Sequence, residues 1–195
     1  MIRGYFNQRA DIWDETIAEK DATKLERMVK RLNITPGSTV LDVGTGTGVF
    51  LPFLLGEVGE GGRIIALDVA EEMLKRARNK GFGGDSYYLH ADIHNIPLRD
   101  EIVDAIVCHS SFPHFQAKPR ALAEMNRVMK SGGRLLVCHT SSRAQINEIH
   151  SRIPEVKNDI LPDAVEMQSL LAAAGFSEIE MDDNSDSYLA SGRKL

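Results

Sequence analysis

The stretch that most constrains this chain is Val40 to Val49, read VLDVGTGTGV. Val40, Leu41 and Val43 form a short apolar run of the kind found in a strand buried on both faces. Gly44, Gly46 and Gly48 then alternate with Thr45 and Thr47. Glycines this close together let the backbone turn sharply and pass against a ligand with no side chain between. From Val49 a helical pattern begins with Val49, Phe50, Phe53 and Leu54. The unit is strand, glycine loop, helix. The loop's free N–H groups and the helix N-terminus would face a bound anionic or polar group.

Two details narrow the reading. The dinucleotide fingerprint G-x-G-x-x-G wants glycine at position 49, where this chain has Val49. The pattern here is instead D-x-G-x-G-x-G, with Asp42 at the strand end. Downstream, Ile64 to Leu67 form a second apolar strand that ends at Asp68, 20 residues after Gly48. A carboxylate there is placed to accept both ribose hydroxyls of a nucleotide.

These residues resemble the class I S-adenosylmethionine-dependent methyltransferases, loosely those of the ubiquinone/menaquinone-biosynthesis type. The resemblance runs from about Tyr5 to the end of the chain. It implies that Gly44 to Gly48 hold the methionine end of the cofactor and that Asp68 holds the ribose. It also implies that Asp92 accepts the adenine amino group and that Ile93 packs on the ring. The cofactor set it implies is Asp42, Gly44, Thr45, Gly46, Gly48, Asp68, Val69, Met73, Asp92, Ile93 and His109.

A chain of 195 residues is expected to form one domain over 1–195, with a helical arm or lid over 1–35 and a Rossmann-like core over 36–195. A net charge of −5 argues against nucleic acid, which rewards a basic face. No apolar run is long enough for a membrane span. The first residues, MIRGYFNQRADIWDE, lack the apolar segment of a secretory signal. Cys108 and Cys138 sit in strand patterns, as expected of buried reduced thiols in a cytosolic enzyme.

Tyr5 to Glu19 reads as a helix with Phe6, Ala10, Trp13 and Ile17 on one stripe. In similar methyltransferases this arm lies over the cofactor pocket; a plain packing helix is the alternative. Leu25, Met28, Val29 and Leu32 mark a second helix. Met73, Leu74 and Ala77 mark a third, closed by Gly81. Further strands are expected over Ser86 to Leu89, Val103 to Cys108 and Arg134 to Cys138, the last entered through a Ser131-Gly132-Gly133 turn. Further helices start at Pro119, at Ser141 (ending at Arg152) and at Asp163, where Asp163 and Glu166 suggest a capping box. Phe176 to Met181 and Ser187 to Ala190 would close the sheet as a hairpin. Alternating βα units imply a seven-stranded doubly wound sheet, mostly parallel, with helices on both faces and ligands at the strand carboxyl ends.

All six histidines fall in or just after the carboxyl ends of the third, fourth and fifth strands. They are His90, His94, His109, His114, His139 and His150. The fourth and fifth strands end alike, in Cys108-His109-Ser110 and Cys138-His139-Thr140, so His109 and His139 are expected side by side. On the following helix His139, Arg143, Asn147 and His150 stay within about 80° of arc. Three readings stand: the histidines bind polar substrate groups and supply a base, with His109, His114 and His139 as catalytic candidates; His109, His139 and His150 ligate a divalent metal; or most are incidental. Trp13, Arg143, Asn147 and His150 are the substrate-binding candidates, Arg143 suiting a carboxylate or phosphate. The resulting expectation is a cytoplasmic methyltransferase acting on a small molecule. An NAD-dependent oxidoreductase and a non-catalytic nucleotide sensor remain open as alternatives.

Overall fold

The computed structural model describes residues 2–195. The N-terminal arm is α1 (Ile2–Arg9), a 3-10 turn (Ala10–Ile12) and α2 (Trp13–Thr16), followed by α3 (Ala22–Leu32). The core then runs β1 (Thr39–Val43), α4 (Leu51–Val58), β2 (Arg63–Asp68), α5 (Glu71–Asn79), β3 (Ser86–His90) and β4 (Val103–His109). It continues as α6 (Lys118–Val128), β5 (Met129–His139), α7 (Arg143–Ser151), α8 (Ala164–Ala173), β6 (Phe176–Asp183) and β7 (Tyr188–Lys194). The strands form one seven-stranded sheet in the order β3-β2-β1-β4-β5-β7-β6. β1 to β5 are mutually parallel; β7 is antiparallel to both β5 and β6.

Alternation along the strands builds a core on each face. Leu41 and Val43 pack into one cluster with Leu122 and Met125 of α6 and Met167 and Leu171 of α8. Val40 points the other way, into a cluster with Leu25, Met28, Val29 and Leu32 of α3 and Leu51 and Leu54 of α4. The α3 stripe is buried residue for residue as its spacing predicts. Burial of each such side chain contributes at most about 1.5–3 kcal/mol. The Asp21 carboxylate caps α3 by accepting from the N–H groups of Thr23 and Lys24, and Asn33 ends it in the left-handed conformation. No helix among the described residues is long and apolar enough to cross a membrane.

Two expectations need correction. The single helix over Tyr5 to Glu19 is broken: helical residues begin at Ile2, tighten into the 3-10 turn and end at Thr16. The break lets Phe6 and Trp13 meet edge to face at 5.3 Å while Ala10 is buried beside Met73 and Ala70. β5 begins at Met129, not Arg134, because Met129 already pairs with Val103; a register shift then absorbs the Ser131-Gly132-Gly133 stretch inside the strand. The C-terminal hairpin forms as expected, its second strand lying beside β5 and its first at the sheet edge. At α8 the Asp163 carboxylate accepts from the Glu166 N–H.

Candidate active site

The loops after β1, β2, β3 and β4 open with the arm onto one cavity of about 310 Å³, within the range of small-ligand sites. Gly44, Thr45, Gly46 and Thr47 line it from the first loop. At Gly44, with φ +71°, an added Cβ would lie 2.4 Å from the Ser111 Cβ, so glycine is required both by conformation and by the close approach of the β4 loop. The Ser111 hydroxyl locks that approach by donating to the Val43 carbonyl at 2.7 Å. Gly48 does not line the cavity. Its missing side chain makes room for Phe82, Leu51 and Ala77, the nearest atom lying 2.6 Å from an added Cβ. It lets α4 pack against its neighbours.

Asp68 is buried at the end of β2 and on the cavity wall. Its carboxylate accepts from the Gly46 N–H and the Ala70 N–H, each at 2.8 Å. A carboxylate offers about four lone-pair positions, so acceptor capacity remains for a ribose. Burial pushes Asp68 up to about 6, against the pull of those N–H groups. Asp42 is pushed up to about 7 by burial, with Asp68 adding to it. Val69 and Met73 continue this wall, and Asp92, Ile93 and His94 form the next. Asp92 is exposed; its Oδ1 accepts from the His94 N–H at 2.9 Å and meets the His94 ring at 2.6 Å.

The arm closes the cavity with Ile2, Phe6, Trp13 and Ile17. It is clamped onto α5: Arg3 and Asn7 each donate to the Glu71 carboxylate at 2.9 Å, and Asn7 accepts from the Glu72 N–H. Thr47 of the glycine loop donates to Asp14.

Beyond α2 the chain delivers Glu19, one of the few fully buried carboxylates. It accepts from the Ser110 hydroxyl and the Thr140 hydroxyl and pairs with His139 Nδ1 at 2.9 Å. Burial works to raise its pKa, but His139 and its other partners hold it below the usual carboxylate range. Ser110 adopts a left-handed conformation, φ +53°, a strained geometry for a non-glycine residue that concentrates at functional sites. His109 stacks on Phe50 at 4.5 Å between centroids. Burial pushes His109 down to about 4, Glu19 partly opposing.

A second histidine group lies at the other end of the β4 loop. His114 lines the cavity, and its Nδ1 meets the Asp159 carboxylate at 2.8 Å. His150 sits 4.9 Å from His114 between ring centroids, its Nδ1 on the Asp159 carbonyl oxygen.

The structure therefore gathers Asp42, Gly44, Thr45, Gly46, Asp68, Val69, Met73, Asp92, Ile93, His109, His114 and Trp13 around one cavity. His139 stands behind it, buried against Glu19. Arg143, Asn147 and His150 do not line it. Arg143 faces Asp183 at 3.6 Å, and the Asn147 amide holds both the N–H and the carbonyl of Leu161. That helix face is turned toward the 155–163 segment and β6, so these residues build structure. His109, His139 and His150 do not converge: the first two gather at Glu19, and the third sits with His114. Among the described residues no group of three His, Cys, Asp or Glu side chains is arranged to hold a metal ion. Both cysteines are free and buried.

Glu19, Asp159, Ser110 and Ser111 were absent from the sequence-derived set. The left-handed Ser110 had no signal in the sequence. Glu19 closes the stretch that reads as one helix and is followed by Lys20 and Asp21, so it reads as part of a solvated helix end.

A cavity at the carboxyl edge of a doubly wound sheet, floored by a glycine loop with a carboxylate on the next strand, defines a nucleotide-cofactor site of the Rossmann-like kind. Residues 41–137 match a family described as a methyltransferase domain. A ubiquinone/menaquinone biosynthesis C-methyltransferase of Teredinibacter turnerae is 38% identical over 112 residues, covering 55% of this chain and 45% of the relative. A solved S-adenosylmethionine-dependent methyltransferase of Aquifex aeolicus superposes with a TM-score of 0.78 at 26% identity, over 97% of this chain and 98% of its own. The Haemonchus contortus phosphoethanolamine N-methyltransferase 2, solved with phosphomonomethylethanolamine and S-adenosylhomocysteine, shares the fold. It has a TM-score of 0.79 at 14% identity over 97% of this chain and 58% of its own. The chain belongs to the class I S-adenosylmethionine-dependent methyltransferases, whose cofactor is S-adenosylmethionine. It spans about half the length of the curated relatives it matches.

Proposed function

We propose that this protein moves the methyl group of S-adenosylmethionine to a small-molecule acceptor inside the cavity. The observation that supports this best is the continuity of the site. One cavity joins the glycine loop and Asp68 to the arm and to the β4 loop, so cofactor and acceptor would share a single enclosed space. When bound, S-adenosylmethionine supplies a sulfonium methyl that leaves with the S–C bonding pair retained by sulfur. In this reading the Gly44 to Thr47 backbone holds the methionine end, Asp68 accepts from the ribose, and Asp92 and Ile93 flank the adenine. The arm acts as a lid: Phe6, Trp13 and Ile17 exclude water from the acceptor. His109 shapes the polar end of the site, with His139 packed behind it. The Teredinibacter turnerae relative, named for C-methylation in ubiquinone and menaquinone biosynthesis, adds quinone-related rings to the acceptors to assay.

Calorimetric titration of wild type and Asp68→Ala with S-adenosylmethionine tests the assignment. Loss of the carboxylate is expected to weaken binding about ten- to a hundredfold. Emission of Trp13, the only tryptophan, should change as the arm closes. Equal affinity of the two proteins rules out the ribose role, and tighter binding of NAD than of S-adenosylmethionine overturns the reading.

A further inference from the structure

We propose that His114, oriented by Asp159, is the base that takes the acceptor's proton, and that the acceptor presents a weakly acidic hydroxyl on an uncharged, largely apolar frame. This rests on the methyltransferase reading. It adds one juxtaposition: a cavity-lining imidazole whose Nδ1 is tied to a carboxylate from a distant segment.

Asp159 holds His114 Nδ1 at 2.8 Å with one oxygen and accepts from Gln116 with the other at 3.3 Å. Burial tends to raise the Asp159 carboxyl, but His114 and Gln116 bring it below the usual range. An ionised carboxylate only accepts, so Nδ1 carries the hydrogen and Nε2 keeps its lone pair. The ring is fenced by Phe6, edge-on at 5.1 Å, and by His150. Burial lowers His114 below the ordinary histidine value, Asp159 opposing, which leaves the imidazole neutral near pH 7. Its charged and titratable surroundings are Asp159, His150 and His139, with Lys118 and Tyr5 within the field of the same Asp159 carboxylate.

The two other sequence candidates are worse bases. His109 is held near 4, with its ring face on Phe50. His139 is buried off the cavity, its Nδ1 on Glu19.

The cavity also selects the acceptor. No lysine or arginine lines it among the described residues, which leaves an anionic substrate without a cationic partner, and Phe6, Trp13 and Phe115 offer apolar aromatic walls. A weakly acidic hydroxyl is matched to a histidine base working near neutrality. In the step, the O–H bond breaks and the proton moves to Nε2. The oxygen keeps the pair and forms the new bond to the methyl carbon, whose former bonding pair stays on sulfur. Nε2 returns its proton to water after product release.

The test uses the full chain, labelled with 15N-histidine and saturated with S-adenosylhomocysteine. NMR should find His114 neutral at pH 7 with its proton on Nδ1, and Asp159→Asn should shift the proton toward Nε2. A charged His114, or a proton on Nε2 in wild type, overturns the assignment. In parallel, 4-nitrophenol is added at a pH where it is protonated in free solution, and nitrophenolate absorbance is read. Wild type should ionise the bound phenol at least tenfold more than His114→Gln. No binding, or equal ionisation in both, overturns the acceptor chemistry. Calorimetry with S-adenosylhomocysteine on the same samples separates the two levels. Lost cofactor binding in wild type indicts the methyltransferase reading, and retained binding in the variants certifies their fold.

Discussion

Two histidine–carboxylate pairs flank the β4 loop, and they are built for different work. Glu19 and His139 are both buried, and the carboxylate also collects the hydroxyls of Ser110 and Thr140. Neither member of that pair lines the cavity, although the neighbouring Ser110 and His109 do. Asp159 and His114 form a similar contact at 2.8 Å, but His114 lines the cavity wall. The first pair fastens the irregular segment between α2 and α3 to the ends of β4 and β5. The second leaves a ring nitrogen available to a ligand. Identical chemistry thus serves fastening or proton handling according to whether one edge of the imidazole meets ligand space.

The comparison breaks most sharply under deletion. Glu19→Ala strands His139 Nδ1 and two hydroxyls in the interior, and should cost about 3–5 kcal/mol. Asp159→Asn keeps a hydrogen-bonding amide and should cost about 1 kcal/mol. Urea unfolding of both variants measures this, and equal losses would dissolve the distinction.

A pH series sharpens it. Burial in the Glu19 region holds His109 down to about 4, below its unfolded value of about 6.5. The unfolded chain therefore binds this proton more tightly. The His109 contribution is full above about pH 6.5 and drains as pH falls toward 4, by about 3 kcal/mol in all. Asp42, raised to about 7, works with the opposite sign, its contribution fading as pH rises through 7. The wild type minus His109→Gln difference in stability isolates the histidine. A difference that stays flat from pH 7 to 4 contradicts the assignment.

A smaller effect than the loss of Glu19 is expected on α7. Asn147→Ala frees the Leu161 backbone and should cost about 1–2 kcal/mol without changing cofactor affinity, since Asn147 does not line the cavity. A parallel loss of S-adenosylmethionine binding would place it in the site after all.

Much of this was legible in the chain because local period and burial agree. The α3 stripe, β1, β2 and the glycine loop follow from spacing alone, and the seven-stranded sheet from the alternation of units. Glu19 and Asp159 were not legible, because their partners are distant: His139 lies 120 residues from Glu19, and His114 lies 45 from Asp159. Periodicity placed Arg143, Asn147 and His150 on one helical face correctly. It carried no information about where that face would turn, and it turns toward a segment that shows no regular pattern of its own. The repeated Cys-His strand ends pointed to a shared neighbourhood for His109 and His139 but not to the carboxylate between them and the arm.

The position of β7 has a consequence for how the molecule is made. Among the described residues β7 is the sole strand partner of β6, and it covers the outer side of β5. Until residues 188–194 leave the ribosome, β5 exposes a full row of unpaired backbone groups and β6 has nothing to join. Pairing across some 50 residues of intervening chain is slow, and an open apolar strand edge invites association with other nascent chains. A message truncated before Tyr188 would therefore yield not a trimmed protein but a sticky one, although every residue around the cavity would already have been synthesised.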